Sequence, residues 1–400
     1  MNTIIVRYGE IGLKGKNRQL FEKRLVDNIR IHLKPYGQNK VRKCWGRLEI
    51  ETNYDLDVIK NVLRTIPGIA NFSPAAHADL RLESMEDAAK KVIEQELEQY
   101  SALPITFRVT AKRANKQFPI FSTEIEAQLG EALLSTFPQL KVRLLHPMLE
   151  VGVEVREKDC IVYTEKIPGM GGLPVHSRER VVSLISGGID SPVASWMMMK
   201  RGCLVIYLYF HSFPFVGEQT KEKVFDLIKI LRIYQPYSRL YIAPFAEIQK
   251  AIKAQTPEKF RTILYRRFMN QIANRIVKKE RAQAIVTGDS LAQVASQTLN
   301  NLISITENAA YPVLRPLIGM DKQEITALSK SIGTYTTSIQ DFPDCCTVFQ
   351  PSKPATKSFL PEVQKVENSI ESLEQLVDQA VEGCEIYNYA CHDNQAIVEQ

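Results

Sequence analysis

No CxxC pair occurs among the seven cysteines of this chain, which argues against a structural zinc ribbon. The cysteine count is odd and the residues are scattered, so a disulfide framework is not expected either. Long apolar runs are missing too. None approaches the roughly 20 residues that cross a bilayer, and the opening "MNTIIVRYGE" lacks the apolar core of a signal peptide. These absences predict a cytoplasmic chain with no membrane partner. Two phosphate-binding signatures are also absent. No GxxxxGK[ST] occurs, which excludes a Walker A loop, and no GxGxxG occurs, which excludes the dinucleotide fingerprint.

What is present is an ordinary globular composition, 44% hydrophobic and 24% charged, over a length that suggests two or three domains. The net charge of +6 permits a polyanionic partner without requiring one. Its distribution is more telling. From Ser101 to Thr123 the chain carries Arg108, Lys112, Arg113 and Lys116 and no acidic residue, and "RYGEIGLKGKNR" near the N-terminus is similarly basic. Taken singly, such runs are usually solvated surface.

Periodicity divides the chain. Residues 1–60 read strand, helix, strand, helix, the order of a small ferredoxin-like α+β unit. Residues 61–166 add helices "MEDAAKKVIEQELEQY" and "STEIEAQLGEALLSTF", the latter with a capping box expected at Thr123 and Glu126, and strands "PITFRVTAKR" and "EVGVEVREKDCIVYTEK". Residues 167–177, containing "PGMGGLP", read as a linker. From 178 to 400 short, continuously apolar strands alternate with helices, which predicts a doubly wound parallel sheet. The fold class is therefore mixed, α+β units followed by an α/β domain.

One junction in that last region concentrates chemistry. The strand "VVSLI" runs into Ser186-Gly187-Gly188-Ile189-Asp190-Ser191-Pro192 and then a helix. Ligands of such sheets sit outside the carboxyl ends of the strands. Two glycines remove Cβ atoms there, Asp190 or Ser191 can cap, and a helix N-terminus favours an anion. A phosphate or pyrophosphate site is expected. A bare SGG would be an unremarkable turn, whereas the full string is far more specific.

That string resembles the PP-loop of the N-type ATP pyrophosphatases, which cleave ATP between the α- and β-phosphates. "RYGEIGLKGKNR", "FRVTAKRANKQFP", "GDSLAQVASQTLNNL", "YPVLRPLIGMDKQEI" and "DCCTVFQP" resemble, in the same order, the tRNA 4-thiouridine synthetase family, which is also linked to thiamine thiazole synthesis. The resemblance implies a ferredoxin-like domain, a THUMP RNA-binding domain and a PP-loop domain. It implies a nucleotide site of Leu184, Ile185, Ser186, Gly187, Gly188, Asp190, Ser191, Tyr209, Phe210, Arg266, Gly288 and Gln297, with ATP and Mg2+ as its ligands. No protein metal ligand is designated beyond the help Asp190 gives in placing phosphates and magnesium. Arg266 lies within a helix whose apolar stripe is Ile263, Leu264, Phe268, Met269, Ile272 and Ile276, and taken alone it would be a solvated neighbour of that stripe.

A uracil carbonyl needs O4 turned into a leaving group before sulfur can displace it. The resemblance assigns the persulfide to Cys346, the cysteine before Thr347-Val348, and gives Cys345 no role. A free cysteine taken alone is more often a small buried hydrophobe. Longer members of the family carry a rhodanese-like domain for which this sequence has no room, so a cysteine desulfurase is expected to load Cys346 directly or through another carrier. Cys345 is the nearest second thiol, but a disulfide between adjacent residues is strained, and Cys384, Cys391 or an external reductant are the alternatives for resetting it. Arg108, Lys112, Arg113 and Lys116 are expected to contact tRNA phosphates, extended by Arg7, Lys14, Lys16 and Arg18. The tRNA is expected to present uridine 8, and relatives suggest a homodimer. Two other readings stay open, an RNA-binding sulfur carrier for thiazole synthesis and a different PP-loop RNA-modifying ligase.

Overall fold

The run "TIIVR" becomes β1 (Asn2–Arg7), whose Ile4, Ile5 and Val6 are fully buried. The computed structural model describes residues 2–44, 46–98, 100, 103–342, 345, 348–392 and 397–399. The chain divides into two units, 1–172 and 173–400.

In the first unit β1 is followed by α1 (Arg18–Leu33), β2 (Lys40–Cys44), β3 (Arg47–Thr52), α2 (Leu56–Thr65) and β4 (Asn71–Ala78). After these come α3 (Leu82–Leu97), β5 (Ile105–Arg113), α4 (Ser122–Thr136), β6 (Leu140–Val142), β7 (Leu149–Val155), β8 (Cys160–Tyr163) and β9 (Ile167–Pro168). The strands form one sheet in the order β2-β3-β1-β4-β8-β7-β5-β6, with β9 on β4. The ferredoxin-like and following layers join because β4 is long enough to be shared. Its Asn71–Ala75 pairs antiparallel with β1 and its Ala76–Ala78 with β8.

The glycine-rich stretch after β9 is held to the same sheet. Gly169 N–H donates to Ala70 O at 3.0 Å, and Gly171 N–H to Ile69 O at 2.7 Å. A Cβ on Gly169 would fall 2.4 Å from the Ile69 carbonyl oxygen, so the contact requires glycine. The capping box of α4 lies two residues earlier than the sequence pattern suggests. Glu124 accepts from the Phe121 N–H, while Glu126 leaves the helix end to accept from Ala111 N–H on β5.

The second unit comprises β10 (His176–Leu184), α5 (Asp190–Lys200), β11 (Cys203–His211), α6 (Gln219–Leu231), β12 (Tyr237–Pro244), α7 (Ala246–Gln255) and α8 (Arg261–Glu280). It continues with β13 (Ala284–Val286), α9 (Leu299–Thr306), β14 (Val313–Leu314), α10 (Lys322–Ser331), α11 (Tyr335–Ser338), α12 (Leu360–Glu367), α13 (Leu373–Glu382), β15 (Glu385–Ala390) and β16 (Ile397–Glu399). The sheet order is β14-β13-β10-β11-β12-β15-β16. Its first five strands are parallel, as a doubly wound sheet requires, and β15 and β16 add an antiparallel edge. Strand order reverses at β10, between β11 and β13. A crevice outside the carboxyl ends opens at that switch point. Among the described residues no helix is long and apolar enough to cross a membrane.

Candidate active site

β10 delivers the chain to Ser186 at the switch point, and the turn is tied by its own serines. Ser186 N–H donates to Ser191 Oγ at 2.8 Å, and the two hydroxyls lie 3.1 Å apart. Ser191 therefore braces the loop rather than capping α5, whose N-cap is Ile189 with no side-chain hydrogen bond. Among the described residues no side chain caps the first amides of the helix, which suits an anion site.

The glycines serve close approach rather than left-handed backbone, since neither Gly187 nor Gly188 has positive φ. A Cβ on Gly187 would press on the Lys223 side chain at 3.2 Å. Gly288, just past β13, is more demanding. Its Cβ would lie 2.8 Å from Ser191 N and 2.9 Å from the Asp190 carbonyl carbon, both backbone atoms. Two sheet-end loops thus meet without a side chain between them.

Asp190 opens α5 with both carboxylate oxygens engaged. Lys322 Nζ donates to Oδ1 at 2.6 Å and Gln293 Nε2 to Oδ2 at 2.9 Å. Lys322 stands at the start of α10, which Asp321 caps through the Gln323 and Glu324 amides. Leu184 and Ile185 lead into the loop, Ile185 buried.

Tyr209 and Phe210 part company by strand alternation. Tyr209 lines a cavity of about 220 Å³ with Gly187, Gly188, Thr220, Lys223, Ser338, Gln340 and Phe342. Phe210 points to the opposite side, its ring 5.2 Å from that of Phe245 in the core.

Arg266 is not a solvated neighbour of the α8 stripe. Its Nη2 donates to Asp289 Oδ1 at 2.6 Å and Oδ2 at 2.7 Å. Thr287, Gln297 and Arg315 also donate to Asp289, at 2.7, 3.3 and 3.2 Å. Burial alone would raise the Asp289 carboxyl, but Arg266, Thr287 and Arg315 together hold it below the usual carboxylate range. Gln297 Oε1 is buried and has no hydrogen-bond partner among the described residues.

Cys346 lies outside the described residues, as do Asp344 and Thr347. Its neighbour Cys345 is a core residue, 5% exposed, whose carbonyl accepts from Gln249 Nε2 at 2.8 Å. Burial pushes the Cys384 thiol up to about 11, which leaves little thiolate near neutral pH. Cys391 is buried, with its sulfur 3.5 Å from His392 Nδ1. No cysteine among the described residues forms a disulfide.

Three parts of the chain match family models. Residues 3–73 match the ThiI ferredoxin-like domain, 81–165 the THUMP domain and 176–372 the thiamine biosynthesis protein (ThiI). The probable tRNA sulfurtransferase of Moorella thermoacetica is 44% identical over 384 residues, 96% of this chain and 97% of that one. The chain belongs to the tRNA sulfurtransferase (ThiI) family. The probable tRNA sulfurtransferase of Halothermothrix orenii is 41% identical over 390 residues. A crystal structure of a 4-thiouridine synthetase–RNA complex with bound ATP superposes with a TM-score of 0.89 at 38% identity, covering 97% of this chain and 99% of that one.

In the THUMP region of this sulfurtransferase family member the four basic residues separate into two kinds. Lys112 and Lys116 are exposed. Arg108 is paired with Glu150 at 2.8 Å and donates to Leu144 O. Arg113 ties down the following loop through Phe118 O and Ile120 O, at 2.8 and 2.6 Å. Arg7, grouped by sequence with the basic N-terminal run, is instead engaged inside its unit by Asn71, Ser73 and Glu154. Arg18 is held by Glu22 and the Tyr8 hydroxyl.

Sequence reasoning did not single out Asp289, Arg315, Lys322 or Lys223. The first three stood inside quoted family segments, so the signal was present as "GDS", "LRP" and "DKQ". Lys223 carried no signal beyond its place on a helix.

Proposed function

We propose that the chain is an ATP-dependent tRNA uracil 4-sulfurtransferase acting on uridine 8. Residues 1–60 and 61–166 hold the tRNA, 167–177 connect, and 178–400 do the chemistry. The observation that carries this reading is the Ser186–Ser191 turn at the switch point, closed on itself and packed on Gly288, with the uncapped first amides of α5 beside it.

ATP phosphates lie over Ser186, Gly187, Gly188 and Ser191, against the α5 N-terminus. Leu184, Ile185, Tyr209 and the Phe210 backbone border the adenosine, and the free Gln297 Oε1 suits a donor such as an adenine amino group. Asp190 is an apt protein ligand for Mg2+, which commonly takes one or two carboxylates and completes its shell with phosphates and water. Held by Asp190, such an ion would supply positive charge to offset the departing pyrophosphate. Lys322 and Gln293 fix the Asp190 carboxylate for that task.

Uridine O4 attacks the α-phosphorus, the bond to the β-phosphate oxygen breaks, and the N3 proton is lost to base. The terminal sulfur of a Cys346 persulfide then attacks C4, and AMP leaves with the former O4. A second thiol attacks the Cys346 sulfur–sulfur bond, leaving sulfur on C4 and a disulfide that an external reductant reopens. A cysteine desulfurase supplies the persulfide sulfur. The enzyme works as a cytoplasmic homodimer, and the family link extends its sulfur transfer to thiamine thiazole synthesis.

Purified protein incubated with unmodified tRNA, Mg-ATP, a cysteine desulfurase and cysteine should give 4-thiouridine in the digested RNA. The product should vanish with Asp190→Ala or Cys346→Ser. If neither thiolation nor cleavage of ATP to AMP and pyrophosphate appears, the reading is wrong.

A further inference from the structure

Lys223 sits on α6, 6% exposed, with its side chain against Gly187 and facing the cavity that Tyr209 also lines. Its Nζ donates to Ser338 O at 2.9 Å and to Gln340 O at 2.8 Å. The segment it grips touches the glycine loop a second time, through Ser338 Oγ donating to Gly188 O at 3.2 Å. Gln340 stands six residues before Cys346 in the sequence. One lysine thus links the loop that faces the phosphates to the segment that leads to the sulfur carrier.

We infer that Lys223 is a pyrophosphate-binding residue whose Nζ exchanges the Ser338 and Gln340 carbonyls for phosphate oxygens, so that phosphate binding loosens the 338–342 segment. The inference rests on the adenylation reading above. Phosphate oxygens carry formal charge and accept stronger hydrogen bonds from an ammonium than neutral carbonyls do. Gly187 keeps the path open, because any side chain there would stand on the lysine methylenes. A lysine stem is flexible enough to swing its head between two acceptor sets while the methylenes stay packed. The exchange ties the two half-reactions together. While no phosphate is bound, the segment before Cys346 is fastened to the loop. Once pyrophosphate develops, the fastening transfers to it.

Inorganic pyrophosphate and AMP, measured separately by calorimetry on the full chain, provide the test. Lys223→Met should weaken pyrophosphate binding by about tenfold or more, the loss expected of one charge-assisted hydrogen bond, and leave AMP affinity within about twofold. Lys223→Arg should recover most of the pyrophosphate affinity. Amide exchange over residues 335–342 should quicken when pyrophosphate is added to the parent protein. In Lys223→Met it should be fast already and indifferent to pyrophosphate. Equal losses for AMP and pyrophosphate, or unchanged pyrophosphate affinity in Lys223→Met, would overturn the inference. A parent protein that binds neither ATP nor pyrophosphate would instead overturn the adenylation reading.

Discussion

Arg266 and Asp289 meet head-on, one guanidinium nitrogen lying 2.6 and 2.7 Å from the two carboxylate oxygens. The pair is more than local, because the same carboxylate receives Gln297 and Arg315. Asp289 is 3% exposed, so its charge is screened little and its donors are held firmly. Three side chains from α8, the loop before α9 and the loop after β14 therefore share one anchor.

Asp289→Asn should release them. The neutral amide presents one acceptor oxygen where the carboxylate had two, and it places an N–H against cations. ATP-dependent AMP formation should lose about tenfold to hundredfold in kcat/KM, with KM for ATP carrying much of the loss. Steady-state rates against ATP concentration check this. A variant with unchanged KM would remove Asp289 from the nucleotide site.

The two ends of the glycine set make a second contrast. Gly288→Ala drives a Cβ into backbone atoms of α5 at 2.8 and 2.9 Å, which no rotamer change can relieve. It should cost about 1–3 kcal/mol of stability and shift the helix start that carries Asp190. Gly188→Ala meets nothing closer than Ser186 Oγ at 3.5 Å and has no positive φ, so it should melt as the parent does. Any loss of ATP binding in Gly188→Ala then reports a ligand passing over that residue. Thermal melts beside ATP titrations separate the two.

How much of this was legible in the sequence follows from how the chemistry is distributed along it. Ser186 to Ser191 is contiguous, so its turn and its place after a buried strand could be read directly. Asp289 gathers partners 23 and 26 residues away, and no local pattern announces that meeting. The antiparallel strand Glu385–Ala390 beside β12 was also missed, since its burial is only partial and its apolar run short. In β5, Lys112 and Arg113 are neighbours of equal charge. Strand alternation sends them to opposite faces, and the path of the loop after them decides that Arg113 is the one tied to Phe118 and Ile120 while Lys112 stays in solvent.

A charge cluster in the first unit predicts pH dependence. His77 lies 3.6 Å from Glu49 and 3.2 Å from Asp159, and Arg156 bonds to both acids. Hydrogen bonding to His77 is the main reason the Glu49 carboxyl falls to about 2, and the same bond raises His77. The raised histidine stabilises fully below its unfolded value of about 6.5 and loses that contribution as pH rises through its higher folded value. The depressed Glu49 stabilises above about 4.5 and loses that contribution as pH falls towards its folded value. His77→Gln should therefore lower the melting temperature most between about pH 4.5 and 6.5, by roughly 2 °C given the exposed edge of the cluster, and least above pH 9. Melts of the full chain across that range would show it. A deficit that grows with pH would contradict the pairing.

The basic residues of β5 and its loop make the last contrast, between holding RNA and holding the fold. Lys112 and Lys116 are exposed, so their charges are available to phosphates. Each phosphate neutralised on a duplex stem releases counterion, and the slope of log affinity against log salt records the number. Lys112→Ala and Lys116→Ala should each reduce that slope by about one and weaken tRNA binding without changing the melting temperature. Arg113→Ala removes the donor to Phe118 O and Ile120 O and uncovers the ring of Phe121, over which the guanidinium lies at 5.1 Å. It should cost about 1–2 kcal/mol of stability, because two loop carbonyls lose their partner. Its salt slope should stay close to that of the parent, since the loop rather than a phosphate is what it binds. Filter binding of unmodified tRNA at several salt concentrations, paired with melts, distinguishes the two roles. A reduced slope with unchanged stability in Arg113→Ala would move that residue from the scaffold to the RNA interface.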